Sequence, residues 1–126
     1  MELIISLAII GILGAISIPA YQNFIEASRR SDAMNTLLDI QLEQERWRTN
    51  NAEYGALSDI WVGSDSTEGY YTMAVLERTA STYTITATPK TGTPQESDRC
   101  GVFAINHDGP LHGPSDGYAD EACWRN

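Results

Sequence analysis

The sequence predicts an α+β chain: a long N-terminal helix whose second half packs on a three- to four-stranded antiparallel sheet. Three observations carry that reading. From Leu3 to Ala20 the only polar side chains are Ser6 and Ser17. Beyond that run the apolar residues thin to Tyr21, Phe24, Ile25, Ala33, Leu37, Ile40 and Trp47, and steps of three and four put the later set on one helix face. Past Gly69, apolar and polar residues alternate with period two, the signature of half-buried strands.

The helix comes first. Glu26, Arg29, Arg30, Asp32, Asp39, Glu43, Glu45, Arg46 and Arg48 lie between the stripe positions. Asp32 near Arg29 and Glu43 near Arg46 support the helix, while Asp39 and Glu43 repel mildly. One helix is therefore expected from the start to about Asn50, on the order of 75 Å long at 1.5 Å per residue. That is too long for a globule of 126 residues. The chain divides into a protruding apolar helix over 1–24 and one globular domain over 25–126. The protruding half cannot face water, so it belongs in lipid or in a bundle of identical helices.

Roughly 20 apolar residues suffice to span a bilayer, and three readings of the run follow. A cleaved secretory signal would use Ala15-Ile16-Ser17 as its small-residue site, but such signals open on a positive region and this run opens on Glu2. An ordinary signal-anchor leaves Glu2 among the headgroups. A membrane segment that later packs against other helices accounts for the stripe as well. Gly11, Gly14 and Pro19 weaken the protruding half: proline removes a backbone hydrogen bond, and each glycine lowers helix propensity by about 1 kcal/mol. They are either small residues tolerated in a membrane helix or a segment that bends or unwinds when the chain leaves the membrane.

After Asn50-Asn51, Tyr54-Gly55, Gly63-Ser64 and Glu68-Gly69 punctuate a loop of roughly 20 residues leading to the sheet. Strands follow at Tyr70–Leu76 and Thr82–Thr88, joined by Arg78-Thr79-Ala80-Ser81 as a hairpin, with Tyr83, Ile85 and Ala87 facing inward and the threonines outward. Lys90 to Asp98 reads as a polar loop, Cys100 to Asn106 as a third strand, and Leu111 marks a short fourth. Leu37, Ile40 and Trp47 are expected against the sheet, with Tyr83 and Phe103 in the core. The two cysteines, Cys100 and Cys123, pair if the chain is exported and remain buried thiols if it is not.

The run ELIISLAIIGILGAISIPAYQNFI closely resembles the N-terminal segment of bacterial type IV pilins. Glu2, the run Ala8 to Leu13, Pro19 and Tyr21-Gln22-Asn23-Phe24 match that family's pattern position by position, and DRCGVFAINHDG…CW is similar, more loosely, to the sheet and C-terminal loop of PilE-like pilins. The resemblance implies the type IV pilin fold, with Cys100 and Cys123 as a disulfide enclosing an outward-facing loop. It implies a homo-oligomer, a helical extracellular filament serving adhesion, motility or DNA uptake. The precursor would sit in the bacterial inner membrane. A prepilin peptidase would remove a short basic leader and methylate the new amine, and the pilus assembly machinery would extract the subunit into a fibre that also contains minor pilins. Set against the family pattern, the mature chain starts about three residues upstream of Met1, roughly 4.5 Å of helix rise. Glu2 would answer the N-terminal amine of a neighbouring subunit, because a charge in an apolar bundle is costly unless paired. No Lys or Arg lies within reach along its own helix; the bland alternative is a solvated carboxylate at the membrane surface. A minor pilin and a pseudopilin of type II secretion share this pattern.

Composition bounds the remaining chemistry. Acidic residues outnumber basic ones 17 to 8 for a net charge of −9, which disfavours nucleic acid as a partner. Arg29, Arg30, Arg46 and Arg48 would make a basic strip, but acids interleave with them. His107, Asp108, His112, Asp116, Asp120 and Glu121 crowd one acidic stretch. Calcium, with six to eight oxygen ligands, is the metal it would suit in a membrane-anchored binding module, and a two-histidine zinc site is a weaker fit. Against both stands a solvated turn, with no metal site and no cofactor. Eleven aromatic residues invite a conductive fibre, against which the core assignments of Trp47, Tyr83 and Phe103 weigh. No phosphate loop, nucleophile elbow or other catalytic constellation is present, so no enzymatic role is expected.

Overall fold

A computed structural model describes residues 1–125. Its first helix, α1, runs unbroken from Glu2 to Arg48 over 47 residues, about 70 Å at 1.5 Å per residue. It ends where Thr49 N–H turns back to Arg46 O at 3.3 Å and Thr49 Oγ1 donates to the same carbonyl at 2.7 Å. Four strands follow in a meander: β1 (Tyr71–Leu76), β2 (Thr84–Pro89), β3 (Phe103–Asn106) and β4 (Gly109–Leu111), ordered β1-β2-β3-β4 and antiparallel throughout. A short helix α2 (Leu57–Ile60) interrupts the connection from α1, and α3 (Glu121–Arg125) follows the sheet.

The core lies between one face of α1 and one face of the sheet. Ala33, Leu37 and Ile40 come from the helix at helical spacing; Tyr71, Met73, Ile85, Ala87, Phe103 and Ile105 come from the strands at period two. Tyr83, Ile85 and Ala87 are fully buried as their alternation predicts. Thr86, expected on the polar face, is buried as well; its registered neighbours Ala74 and Ala104 flank it on both sides. At the C-terminal end Trp124 sets its ring edge-on to Phe103 at 5.2 Å between centroids, a favoured aromatic geometry.

Some expectations need correction. Trp47 does not join the sheet core. It is only half-buried, and its indole lies against Gly55, where an added Cβ would come within 3.3 Å of the ring and 2.8 Å of Ile60. The hairpin begins later than its composition suggests because Thr82 belongs to the turn: Thr79 N–H donates to Thr82 O at 2.8 Å, and Thr82 N–H donates to Thr79 Oγ1 at 3.0 Å. The third strand starts at Phe103 rather than Cys100. Gly101 takes φ +61°, and Val102 instead pairs in parallel with Tyr118.

Cys100 and Cys123 form a disulfide with Cα atoms 5.8 Å apart, and both are buried. The segment it closes is more than an outward loop, because it contains β3 and β4.

Candidate assembly surface

The protruding half of α1 exposes its side chains all round. The helix holds an 18-residue window apolar enough to cross a membrane, and none of that window is buried. Leu3 is 81% exposed and Phe24, at the other end, 71%. Gly14 apart, every residue up to Phe24 is exposed; partial burial begins at Ile25, and the first buried residue is Arg30. Glu2 lies in the first turn with its side chain exposed, and no cation lies within ion-pair distance of it among the described residues. Its carbonyl accepts the Ser6 hydroxyl at 2.9 Å, and the Leu13 carbonyl accepts that of Ser17 at 2.7 Å, so both polar side chains of the run are satisfied within the helix. A Cβ at Gly11 or Gly14 would meet nothing within 4 Å. Packing inside the chain therefore demands neither glycine. Helical conformation continues through Gly11, Gly14 and Pro19, although Pro19 leaves one carbonyl of the preceding turn without its N–H.

Several polar ties hold the second half of α1 to the domain, among them bonds from the Thr67 amide to Thr36 and from Gln41 to the Asn106 carbonyl, and three are buried. Arg30 Nε donates to Asp98 Oδ2 at 2.8 Å and its Nη2 to Oδ1 at 2.5 Å, a buried two-pronged pair joining residues 68 apart. Gln95 Nε2 donates to Asp98 at 2.9 Å and to the Tyr71 hydroxyl at 3.0 Å. Burial pushes the Asp98 pKa up, but the Arg30 hydrogen bonds and charge, the Cys100 amide and Gln95 outweigh it and hold it below the usual carboxylate value. Hydrogen bonding to Asp98 likewise raises Arg30, and burial raises Tyr71. Two residues on, Asp32 accepts the Ser66 hydroxyl at 2.5 Å and Glu68 N–H at 2.9 Å. It braces the turn before β1 and does not pair with Arg29 as the helical spacing suggests. Near the helix end, Gln44 Nε2 donates to Gly55 O and Gly55 N–H donates to Gln44 Oε1, each at 2.8 Å.

This arrangement has parallels among known proteins. Residues 19–104 match the family described as the type IV minor pilin ComP, DNA uptake sequence receptor. The chain belongs to this family of type IV pilins. The pilin is 37% identical over 82 residues to the type IV major fimbrial protein FimA of Dichelobacter nodosus, a match covering 65% of this chain and 53% of that protein. It is 34% identical over 98 residues to the fimbrial protein EcpC of Eikenella corrodens, covering 71% of this chain and 60% of that one. It thus spans between half and three-fifths of the length of these curated relatives. A solved type IV pilin from Shewanella oneidensis aligns over 67% of this chain and 86% of its own, at 28% identity and a TM-score of 0.49.

The pilin does not assemble its four helix arginines into a strip. Arg30 is buried on Asp98, Arg29 lies over the Tyr70 ring at 5.0 Å, Arg46 pairs with Glu43, and Arg48 donates to Asn51 O and Ala80 O. The acidic C-terminal stretch is not gathered either. His107 pairs with Asp108 and bonds Thr82, Asp120 accepts the Cys123 amide, and His112 meets the Trp124 ring. Among the described residues no three His, Cys, Asp or Glu side chains converge as metal ligands, so nothing here supports the calcium or zinc site. The Arg30–Asp98 and Gln44–Gly55 ties escape sequence reasoning, since no local pattern links residues so far apart.

Proposed function

We propose that this pilin is a structural subunit that assembles into a type IV pilus by burying its protruding half-helix among copies of itself. The observation that carries the reading is the fully exposed apolar window of α1 beside a domain whose own core is closed. Ten large aliphatic side chains lie between Leu3 and Ile18. Each is stabilised by about 1.5–3 kcal/mol on leaving water, so the half-helix resides in lipid before assembly and in a helical bundle after it. Residues 1–24 act as this packing element and 25–126 as the globular body.

In that bundle Glu2 pairs with the N-terminal amine of a neighbouring subunit, which offsets the desolvation of both charges and sets the register. Gly11, Gly14 and Pro19 form the stretch that bends or unwinds on extraction. A prepilin peptidase processes the precursor, the assembly machinery extracts it from the inner membrane, and the mature subunit reaches the cell surface. Nothing in this role calls for a catalytic group. The test is a Glu2→Ala variant compared with wild type by shearing surface filaments and weighing their subunits intact. The variant is expected to remain in the membrane; wild-type amounts of filament from it would refute the salt-bridge role.

A second reading, a minor subunit that primes or decorates the fibre, is favoured by the description of the matched family. The same shearing experiment separates the two: the main component of the filaments is a major pilin, a trace component a minor one or a pseudopilin. DNA binding is not favoured here, because the net charge is −9, acids interleave with the helix arginines, and Arg30 is buried on Asp98.

A further inference from the structure

Where the protruding half of α1 meets the domain, a groove of about 530 Å³ opens between the helix and the turn before β1. Its lining combines the rings of Tyr21, Phe24 and Tyr70 with the charged groups of Arg29, Asp32, Asp39 and Glu68. Arg29 also borders a smaller cleft on its other side, with Gln22 and Pro94. Its guanidinium stacks over Tyr70 at 5.0 Å, and no carboxylate lies within ion-pair distance of it among the described residues. Glu68 is exposed, and its carboxylate likewise has no ion-pair partner among the described residues. One guanidinium and three carboxylates thus line the same aromatic-walled groove: Asp32 is engaged with Ser66 and the Glu68 amide, whereas Asp39, like Glu68, is exposed and has no ion-pair partner among the described residues.

The position of the groove along the helix says what would fill it. If Glu2 marks one edge of a bilayer, a hydrocarbon layer of about 30 Å ends near Gln22 at 1.5 Å per residue. Tyr21 and Phe24 then fall at the water–lipid boundary, where aromatic rings are enriched. Arg29 lies about 10 Å farther along, and helical side chains lean back toward the N-terminus. Its guanidinium therefore reaches down into the headgroup layer. An anionic headgroup alone suits the site poorly, because the chain carries a net −9 and Asp32, Asp39 and Glu68 all stand in the groove, whereas an ammonium group finds acceptors there.

We propose that this groove holds the headgroup of a zwitterionic phospholipid while the pilin sits in the membrane, with Arg29 donating to the phosphate and Glu68 accepting from the ammonium of a phosphoethanolamine group. The inference rests on the reading of 1–24 as a membrane segment. Arg29 and Glu68 would then keep the domain seated on the outer face of the bilayer, and assembly would exchange the lipid for neighbouring subunits.

The full chain reconstituted into vesicles of equal phosphatidylethanolamine and phosphatidylglycerol tests this, by flotation and then by native mass spectrometry of lipid retained after mild detergent extraction. The wild type is expected to float and to retain phosphatidylethanolamine in preference. Arg29→Gln should lower that retention about tenfold, the lower range for a hydrogen bond to a charged group, and Arg29→Lys should restore part of it. Glu68→Gln should keep phospholipid but weaken the preference for ethanolamine over glycerol, and Glu68→Gln with Asp39→Asn should abolish it. Among the described residues none of these three side chains makes a hydrogen bond or ion pair inside the fold, so the variants should keep the wild-type far-ultraviolet dichroism and melting temperature to within a few degrees. Equal retention by wild type and Arg29→Gln, or a wild-type preference for phosphatidylglycerol, would overturn the headgroup site alone. A chain that does not float would overturn the membrane reading and the site with it.

Discussion

Breaking the Arg30–Asp98 pair should be among the most damaging single changes to the domain. The two side chains are 11% and 0% exposed, so salt screens them little. Asp98→Ala leaves the guanidinium, among the described residues, with only the partly exposed Glu26, 3.8 Å away and outside hydrogen-bond distance, and removes an acceptor from Gln95. Removing one partner of a buried ion pair costs about 3–5 kcal/mol, whereas replacing both by apolar groups of similar size is often nearly neutral. For a domain of this size each kcal/mol lowers the melting temperature by roughly 4–8 °C. Asp98→Ala should therefore lower it by about 12 °C or more, and Arg30→Met with Asp98→Leu should recover most of the loss. The assay is thermal unfolding of the full chain in detergent at pH 7, disulfide intact, followed by near-ultraviolet dichroism. A drop below about 5 °C for Asp98→Ala, or a double variant as unstable as the two single losses summed, would refute the reasoning.

Further outcomes follow from the other ties. Gln44→Ala leaves the buried N–H and C=O of Gly55 without their partners and should cost about 1–3 kcal/mol in denaturant titrations. Gly55→Ala should cost about as much, because its methyl group would press on Ile60 and the Trp47 ring. Replacing Cys100 and Cys123 together by serine opens a loop of sequence separation 23 and should cost roughly 3 kcal/mol by the chain-entropy account; an unchanged denaturation midpoint would contradict it. The folded Asp98 pKa lies below its ordinary 3.8, so its contribution is present above that value and lost as pH falls through the folded one. At the alkaline end, burial pushes Tyr83 up to about 12 from 10.0, so the unfolded chain releases that proton first and stability should decline across this window. Titrating the melting temperature over both ranges checks the two signs.

How legible the fold was depends on how local each cause is. The helix and the hairpin rest on periodicity within a few residues, and both stand where the pattern puts them, with ends shifted by capping and turn hydrogen bonds that composition does not display. Trp47 misled because its spacing fits the core stripe, whereas Gly55 draws the connecting loop under its ring. The short helix Leu57–Ile60 was hidden in a loop-like composition; its one signal is Asp59, whose carboxylate accepts the Ala56 amide at 2.9 Å. The Arg30–Asp98 pair and the groove beside Arg29 depend on tertiary closure of distant segments, and nothing in a linear pattern announces them. The protruding surface is the opposite case, being a contiguous run whose apolarity alone excludes water.

The unbroken course of α1 from Glu2 to Arg48 has a mechanical consequence. In the proposed fibre one rod would serve both as the handle gripped by neighbouring subunits and as a wall of the domain's interior. Tension along a fibre would pass from the handle into the domain as shear parallel to the rod. Arg30–Asp98 and Gln44–Gly55 sit near the two ends of the buried stretch, like pins through a sleeve. Sliding the rod would have to rupture both pins and drag Ala33, Leu37 and Ile40 across the sheet at once. Shared loading of that kind resists a pull far better than bonds that open one after another, while the disulfide keeps β3 and β4 from being stripped away behind it.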